Sequence, residues 1–381
     1  MRSYPPVVAP RREFLLSEIL LGPEEEEAVL RVVRSRWLSM GPEVQRLEAE
    51  FAIFAGAKHV LATANCTAAL HLAMLALDVG PGDEVIVPAL SFVATANAAL
   101  YCGARIVFAD VESVSRPTLD PADVARKLTS RTKAIVAMHY AGYPCRMDAL
   151  AEVARDVPIV EDAAHCAGSR FHGRACGTIG RIGCFSLFGN KNLPAGEGGL
   201  IATDDPALFE RMHRQRSHGM TSLSWDRARG HASSYDVTTL GYNYRMPELS
   251  AAIARAQLAK LPAHNAARDA VFAAYMRDLA RIRGVTALFA DADPPGSRHL
   301  MPVLLDNAAR RGDVMARLKE RGVQTSIHYP PIYSFSYLRD TIADCPNTDA
   351  FASRVVTLPF HPGLSKDDVA TICGHLATVM G

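Results

Sequence analysis

Apolar and polar positions alternate in blocks along the first half of the chain. Short apolar runs at His59–Ala62, Glu84–Val87, Arg105–Val111, Ala134–His139 and Pro158–Val160 read as strands. Stretches with helical spacing lie between them, near 67–78, 92–102, 121–129 and 147–155. Strand and helix in turn predict a largely parallel sheet covered on both faces. Upstream, residues 1–22 are irregular and carry several prolines. Gly22-Pro23 then opens a helix whose first turn holds Glu24 to Glu27, where negative charge suits the helix dipole. A second helix begins at Pro42, with Val44, Leu47, Phe51 and Phe54 on one face.

The pattern changes in the second half. A helix at 205–216 is followed by a polar loop at 220–240, placed near the substrate, with Trp225, His231 and Tyr235. A long helix at 247–260 comes next. Strand-like runs at Leu300–Leu305, Val323–His328 and Val355–Pro359 then alternate with helices near 310–321 and 366–379. The expectation is a large α/β domain over 1–260, with an irregular N-terminal arm, and a smaller α+β domain over 261–381.

Composition narrows the class. The 381 residues are 49% hydrophobic and 21% charged, an ordinary globular balance with enough chain for two domains. Basic and acidic side chains number 41 and 40, so no nucleic-acid footprint is expected. The opening MRSYPPVVAPRREF lacks an apolar signal core, and no run reaches the length of a membrane span. Eight cysteines without a CxxC pair read as buried, reduced thiols. The expected setting is cytoplasmic, with no membrane partner and no metal site.

The chemistry concentrates between Gly183 and Thr203, GCFSLFGNKNLPAGEGGLIAT. Two apolar runs flank Lys191, and Gly196, Gly198 and Gly199 allow close backbone approach. A solvated lysine needs no such setting. A lysine that forms a Schiff base does, because its amine must be desolvated and placed against a carbonyl. Upstream, PIVEDAAHCAG is a buried-type strand ending in Glu161 and Asp162. Asp162 therefore falls at a strand's carboxyl end, where open α/β sheets bind ligands. A Schiff-base lysine with an acid for a pyridine nitrogen is the pair used with pyridoxal phosphate.

Other candidates are weaker taken singly. ATANCTAALHLAM places small residues at a helix start, which reads either as an anion site or as an Asn or Thr cap. Phe92, just past a strand end, reads as a core side chain or as a platform for a flat ring. GRACGTIGRIG is glycine-rich but does not open a helix after a strand, so a nicotinamide fingerprint is absent.

EDAAH, GCFSLF…K…GEGG and NYRMPELSAAIARAQL together make the chain resemble, over nearly its whole length, the DegT-type sugar aminotransferases. These are pyridoxal-phosphate enzymes of fold type I. The resemblance implies that Lys191 carries the cofactor and Asp162 faces its ring nitrogen. It implies Thr67 and Ser186 on the phosphate, with Cys66 contributing backbone only, Phe92 on the ring face, and His165 beside the phenolic oxygen. Asn243 would reach the phosphate of a neighbouring subunit, giving a homodimer with shared sites. His218, Tyr244, His328 and Tyr329 are candidate substrate contacts, the last two within IHYPPIY. The implied reaction moves an amino group from an amino acid, most often glutamate, to a keto group on a nucleotide-linked deoxy sugar. A keto-cyclitol acceptor is the alternative. A related dehydratase branch lacks the lysine, so Lys191 argues against it. A non-catalytic regulatory role is the most distant option.

Overall fold

The computed structural model describes residues 13–222, 225, 234–290, 296–338 and 341–381. His231 and the first twelve residues lie outside that set. The five expected early strands form as β1 (His59–Thr63), β2 (Glu84–Pro88), β3 (Arg105–Ala109), β4 (Thr132–Met138) and β5 (Ile159–Asp162). A tight hairpin of β6 (Arg170–Phe171) and β7 (Arg174–Ala175) precedes β8 (Ile182–Ser186) and β9 (Gly199–Thr203). Seven of these strands make one sheet in the order β1-β9-β8-β5-β4-β2-β3. Only β9 runs against the others. Helices cover both faces of the sheet, as continuous Val/Ile/Ala strands require.

That order places β1 and β2 on opposite sides of β5 and β8. The carboxyl ends of all four therefore open onto one crevice, the location open α/β sheets use for ligands. Gly199 sits at the junction, paired in register with both Thr63 and Ser186. A Cβ there would lie 2.6 Å from the Asn65 backbone, so glycine is required for β9 to pass the start of the helix Cys66–Ala76.

The second half departs from expectation in three places. The long helix does not stop near 260. It runs from Glu248 to Leu279 through Pro262, so a boundary at 260/261 falls inside an unbroken helix. Its first half buries Ala251, Ala254 and Leu261 against the main core, and its second half buries Val271, Phe272 and Tyr275 in a separate one. The small sheet is β10 (Val285–Ala287), β11 (Met301–Leu305) and β12 (Val355–Leu358), all antiparallel. The run at 323–328 makes only single bridges, Val323 to Phe14 and Ser326 to Thr357. Phe14 is itself buried in the C-terminal core, so the arm before the first helix is laced into the far end of the molecule.

Candidate active site

The crevice holds a cavity of about 410 Å³. Its walls include Cys66, Thr67, Phe92, Asp162, His165, Ser186, Lys191, His328 and Tyr329. Nine residues from five stretches of chain thus meet where the strand order predicts a ligand.

Asp162 is the last residue of β5 and is buried. Its Oδ2 accepts the Thr95 hydroxyl at 2.7 Å, and its Oδ1 accepts the Ala164 N–H at 3.2 Å. Ser91 Oγ lies 2.6 Å from Thr95 Oγ1 and is left to donate to it. Burial raises the Asp162 carboxyl above its ordinary value, while Thr95, Ala164 and Lys191 oppose that rise. Lys191 sits on a turn closed by its own N–H to Phe188 O at 2.8 Å. Burial pushes its ammonium down to about 8, against the pull of Asp162.

The helix start shows the cap, and leaves room for an anion beside it. Asn65 is the cap, accepting Ala68 N–H at 2.9 Å. Thr67 lines the cavity with Ser186, whose Oγ accepts Phe188 N–H at 3.3 Å; among the described residues neither hydroxyl has another hydrogen-bond partner. Two hydroxyls and a helix N-terminus are groups that could hold an anion. Cys66 lines the cavity with a thiol pushed well up by burial and by Asp162. Phe92 is 55% exposed, which removes the core reading, and its ring stands 6.2 Å from that of Tyr329.

His165 is buried, and burial with the nearby Lys191 charge holds it well below the usual imidazole range. Its Nδ1 accepts Ala141 N–H at 3.3 Å, so the ring proton sits on Nε2 and faces Tyr329 Oη at 3.0 Å. Burial drops His328 to about 4, and its Nδ1 lies 3.0 Å from Thr357 Oγ1.

Three expected residues lie away from the cavity. Asn243 is exposed, in a bridge with Ser217. His218 donates its N–H to Tyr242 O at 2.9 Å. The Tyr244 hydroxyl is 3.0 Å from His71 Nδ1. Sequence reading missed Thr95, and also Asn192 and His299. His299 Nε2 lies 3.5 Å from Lys191 Nζ, and its Nδ1 lies 3.0 Å from Asn192 Oδ1. Glu161 precedes Asp162 at the end of the same strand. It points away, accepting from Gly177, Ile179 and Gly180 N–H and from His139 Nε2 at 2.6 to 2.8 Å.

A buried lysine and a buried aspartate thus lie at the carboxyl ends of a mostly parallel sheet, beside two hydroxyls at a helix start. The family model for the DegT/DnrJ/EryC1/StrS aminotransferase family matches residues 20–377, and the chain belongs to that family. It is a pyridoxal-phosphate-dependent aminotransferase. It is 37% identical to the spore coat polysaccharide biosynthesis protein SpsC of Bacillus subtilis, over 95% of this chain and 96% of that one. The aminotransferase TlmJ from Streptoalloteichus hindustanus superposes with a TM-score of 0.90 at 34% identity, covering 97% and 99% of the two chains. DesI, solved in the presence of its TDP-sugar product, gives 0.87 at 31% identity over 96% and 92%.

Proposed function

We propose that this enzyme transfers the amino group of glutamate to a keto group on a nucleotide-linked deoxy sugar. The observation that carries the reading is the convergence of Lys191, Asp162, Thr67 and Ser186 on one cavity. DesI supports the sugar-nucleotide part, and SpsC supports a destination in polysaccharide.

The donor set fits pyridoxal phosphate. A carboxylate anchored by Thr95 stands at one end of the cavity, two hydroxyls at a helix start line it, and an exposed phenyl face borders it. When bound, the cofactor supplies an electron sink for the carbon that loses or gains a proton. Asp162 would hold its ring nitrogen, and Thr67, Ser186 and the helix-start N–H groups would hold its phosphate. Phe92 would cover one ring face, and His165 would stand by the phenolic oxygen. Lys191 would carry the cofactor covalently. Its free amine would be the group that takes and returns the substrate proton, and an ammonium near 8 keeps both forms populated at neutral pH. The exposed Asn243 would complete the phosphate site of a second copy, making the homodimer the working unit.

The test is amination of a panel of nucleotide-linked keto sugars and free inososes, with glutamate or glutamine as donor. Turnover of a keto-sugar nucleotide with glutamate is the expected result. Turnover of inososes alone would overturn the acceptor assignment.

A further inference from the structure

We propose that His299 is the positioning residue for Lys191, held by Asn192 in the tautomer that carries its proton on Nδ1 and turns the Nε2 lone pair to the lysine amine. The proposal rests on the aminotransferase reading of Lys191. The tautomer follows from a chain of donors and acceptors. Asn265 Nδ2 donates to Ala167 O at 3.0 Å, so its Oδ1 faces the other way. Asn192 Nδ2 donates to that Oδ1 at 3.1 Å and to Ser297 O at 2.9 Å. Both partners are acceptors only, so the Asn192 oxygen must face His299 Nδ1, 3.0 Å away. An oxygen there requires N–H on Nδ1. Nε2 is then a bare acceptor, 3.5 Å from Lys191 Nζ.

Burial, with the nearby Lys191, Arg268 and His328, holds this imidazole well below its usual range and so neutral. Lys191, Arg268, His165 and His328 face it, and no carboxylate does among the described residues. Arg268 is buried and donates to Asn265 Oδ1 at 3.4 Å, which places a cation at the far end of the same relay. The ring of His165 lies 4.3 Å away, with its own proton on Nε2 and its own partners, so the two imidazoles do not compete. The backbone is equally constrained. His299 N–H donates to Ala141 O at 2.8 Å, and a Cβ on Gly142 would come within 3.1 Å of His299 N. A lysine amine on a four-carbon stem has three rotatable donors. A fixed acceptor takes one of them, stations Nζ at the cavity wall and leaves the free-base lone pair for the reacting carbonyl.

The experiment titrates Lys191 in cofactor-free protein. Labelling by an amine reagent is followed across pH and quantified at Lys191 by mass spectrometry. The wild-type midpoint is expected near 8. His299→Asn keeps an amide at the Nδ1 position but removes the acceptor, so the midpoint should fall by about one unit. His299→Gln places an amide oxygen near Nε2 and should restore it. Asn192→Leu, which frees the tautomer, should shift the midpoint as His299→Asn does. At a pH above both midpoints, where Lys191 is free base in every protein, the rate at which added pyridoxal phosphate attaches should fall in His299→Asn, because Nζ is no longer held, and recover in His299→Gln. Equal midpoints in all variants, or equal shifts for Asn and Gln, would overturn the proposal. If the variants do not fold, nitrogen NMR of wild-type histidine decides: a protonated Nε2 on His299 overturns it, and an unprotonated one supports it. Failure of pyridoxal phosphate to attach to wild-type Lys191 would instead sink the aminotransferase reading, leaving the tautomer measurement standing.

Discussion

Thr95→Val separates the charge on Asp162 from its position. Thr95 is fully buried, and its hydroxyl donates to Asp162 Oδ2 at 2.7 Å. Valine keeps the branched shape and removes the donor, so the loss is electrostatic. A hydrogen bond to a charged group contributes about 1.5–3 kcal/mol. At about 1.4 kcal/mol per unit, the Asp162 carboxyl should rise by roughly one to two units. It starts above the ordinary carboxyl value already, because burial disfavours its charge. A raised carboxyl is ionised above its pKa and neutral below it. Cofactor affinity that depends on the carboxylate is therefore present at high pH and lost as pH falls. The acid limb of that loss should move up by the same one to two units in Thr95→Val. The assay is the dissociation constant of pyridoxal phosphate, followed by absorbance from acid to alkaline pH. The cofactor's own phosphate titrates in both proteins alike, so the difference isolates Thr95. Thr95→Ser, which keeps the hydroxyl, should overlay the wild type. Superimposable acid limbs for Val and wild type would refute the argument that this hydroxyl sustains the charge.

Lys191→Ala should show no borohydride-fixed cofactor, and labelling at any other lysine would displace Lys191 from its role. Mixing Lys191→Ala chains with Asn243→Ala chains should restore activity towards one good site per dimer, because one hybrid site then carries both lesions; no recovery would show that Asn243 serves its own chain. Glu161→Gln should lower stability at neutral pH by about 2 kcal/mol or more, since three backbone N–H groups and His139 converge on a buried carboxylate. Burial alone would raise the Glu161 carboxyl, but His139 and those N–H groups hold it below its ordinary value. Its contribution is thus full above the unfolded carboxyl pKa and drains as pH falls through the lower folded one, so urea midpoints of variant and wild type should converge in acid.

Lys191, Asp162 and the candidate anion site were readable because each announces itself locally: a lysine among glycines, an acid at a strand end, small residues at a helix start. The sheet was readable for the same reason, strand by strand. Thr95 and His299 announce nothing. Thr95 looks like any helical threonine, and His299 stands 108 positions from Lys191 in a segment with no periodicity. Asn192 is next to Lys191, but only the folded positions of Asn265 and Ser297 give its amide a direction. The helix to Leu279 outruns the expected 247–260, because it continues through Pro262 with apolar faces on both sides that find cores to enter. The small strand β10 has three residues, too few for any period to show.

The lacing of Phe14 into the C-terminal core bears on how the protein is made. On the ribosome, residue 14 is synthesised hundreds of residues before Val323, its bridge partner, and before the helix Lys366–Met380 that closes the same core. The main sheet is complete once Thr203 has emerged, so it can form while the arm is still waiting. His299 also arrives late, long after Lys191. A nascent chain stalled near residue 290 would therefore carry a formed sheet with an unplaced arm and an unsupported lysine. Competence to capture the cofactor would come as nearly the last event of synthesis.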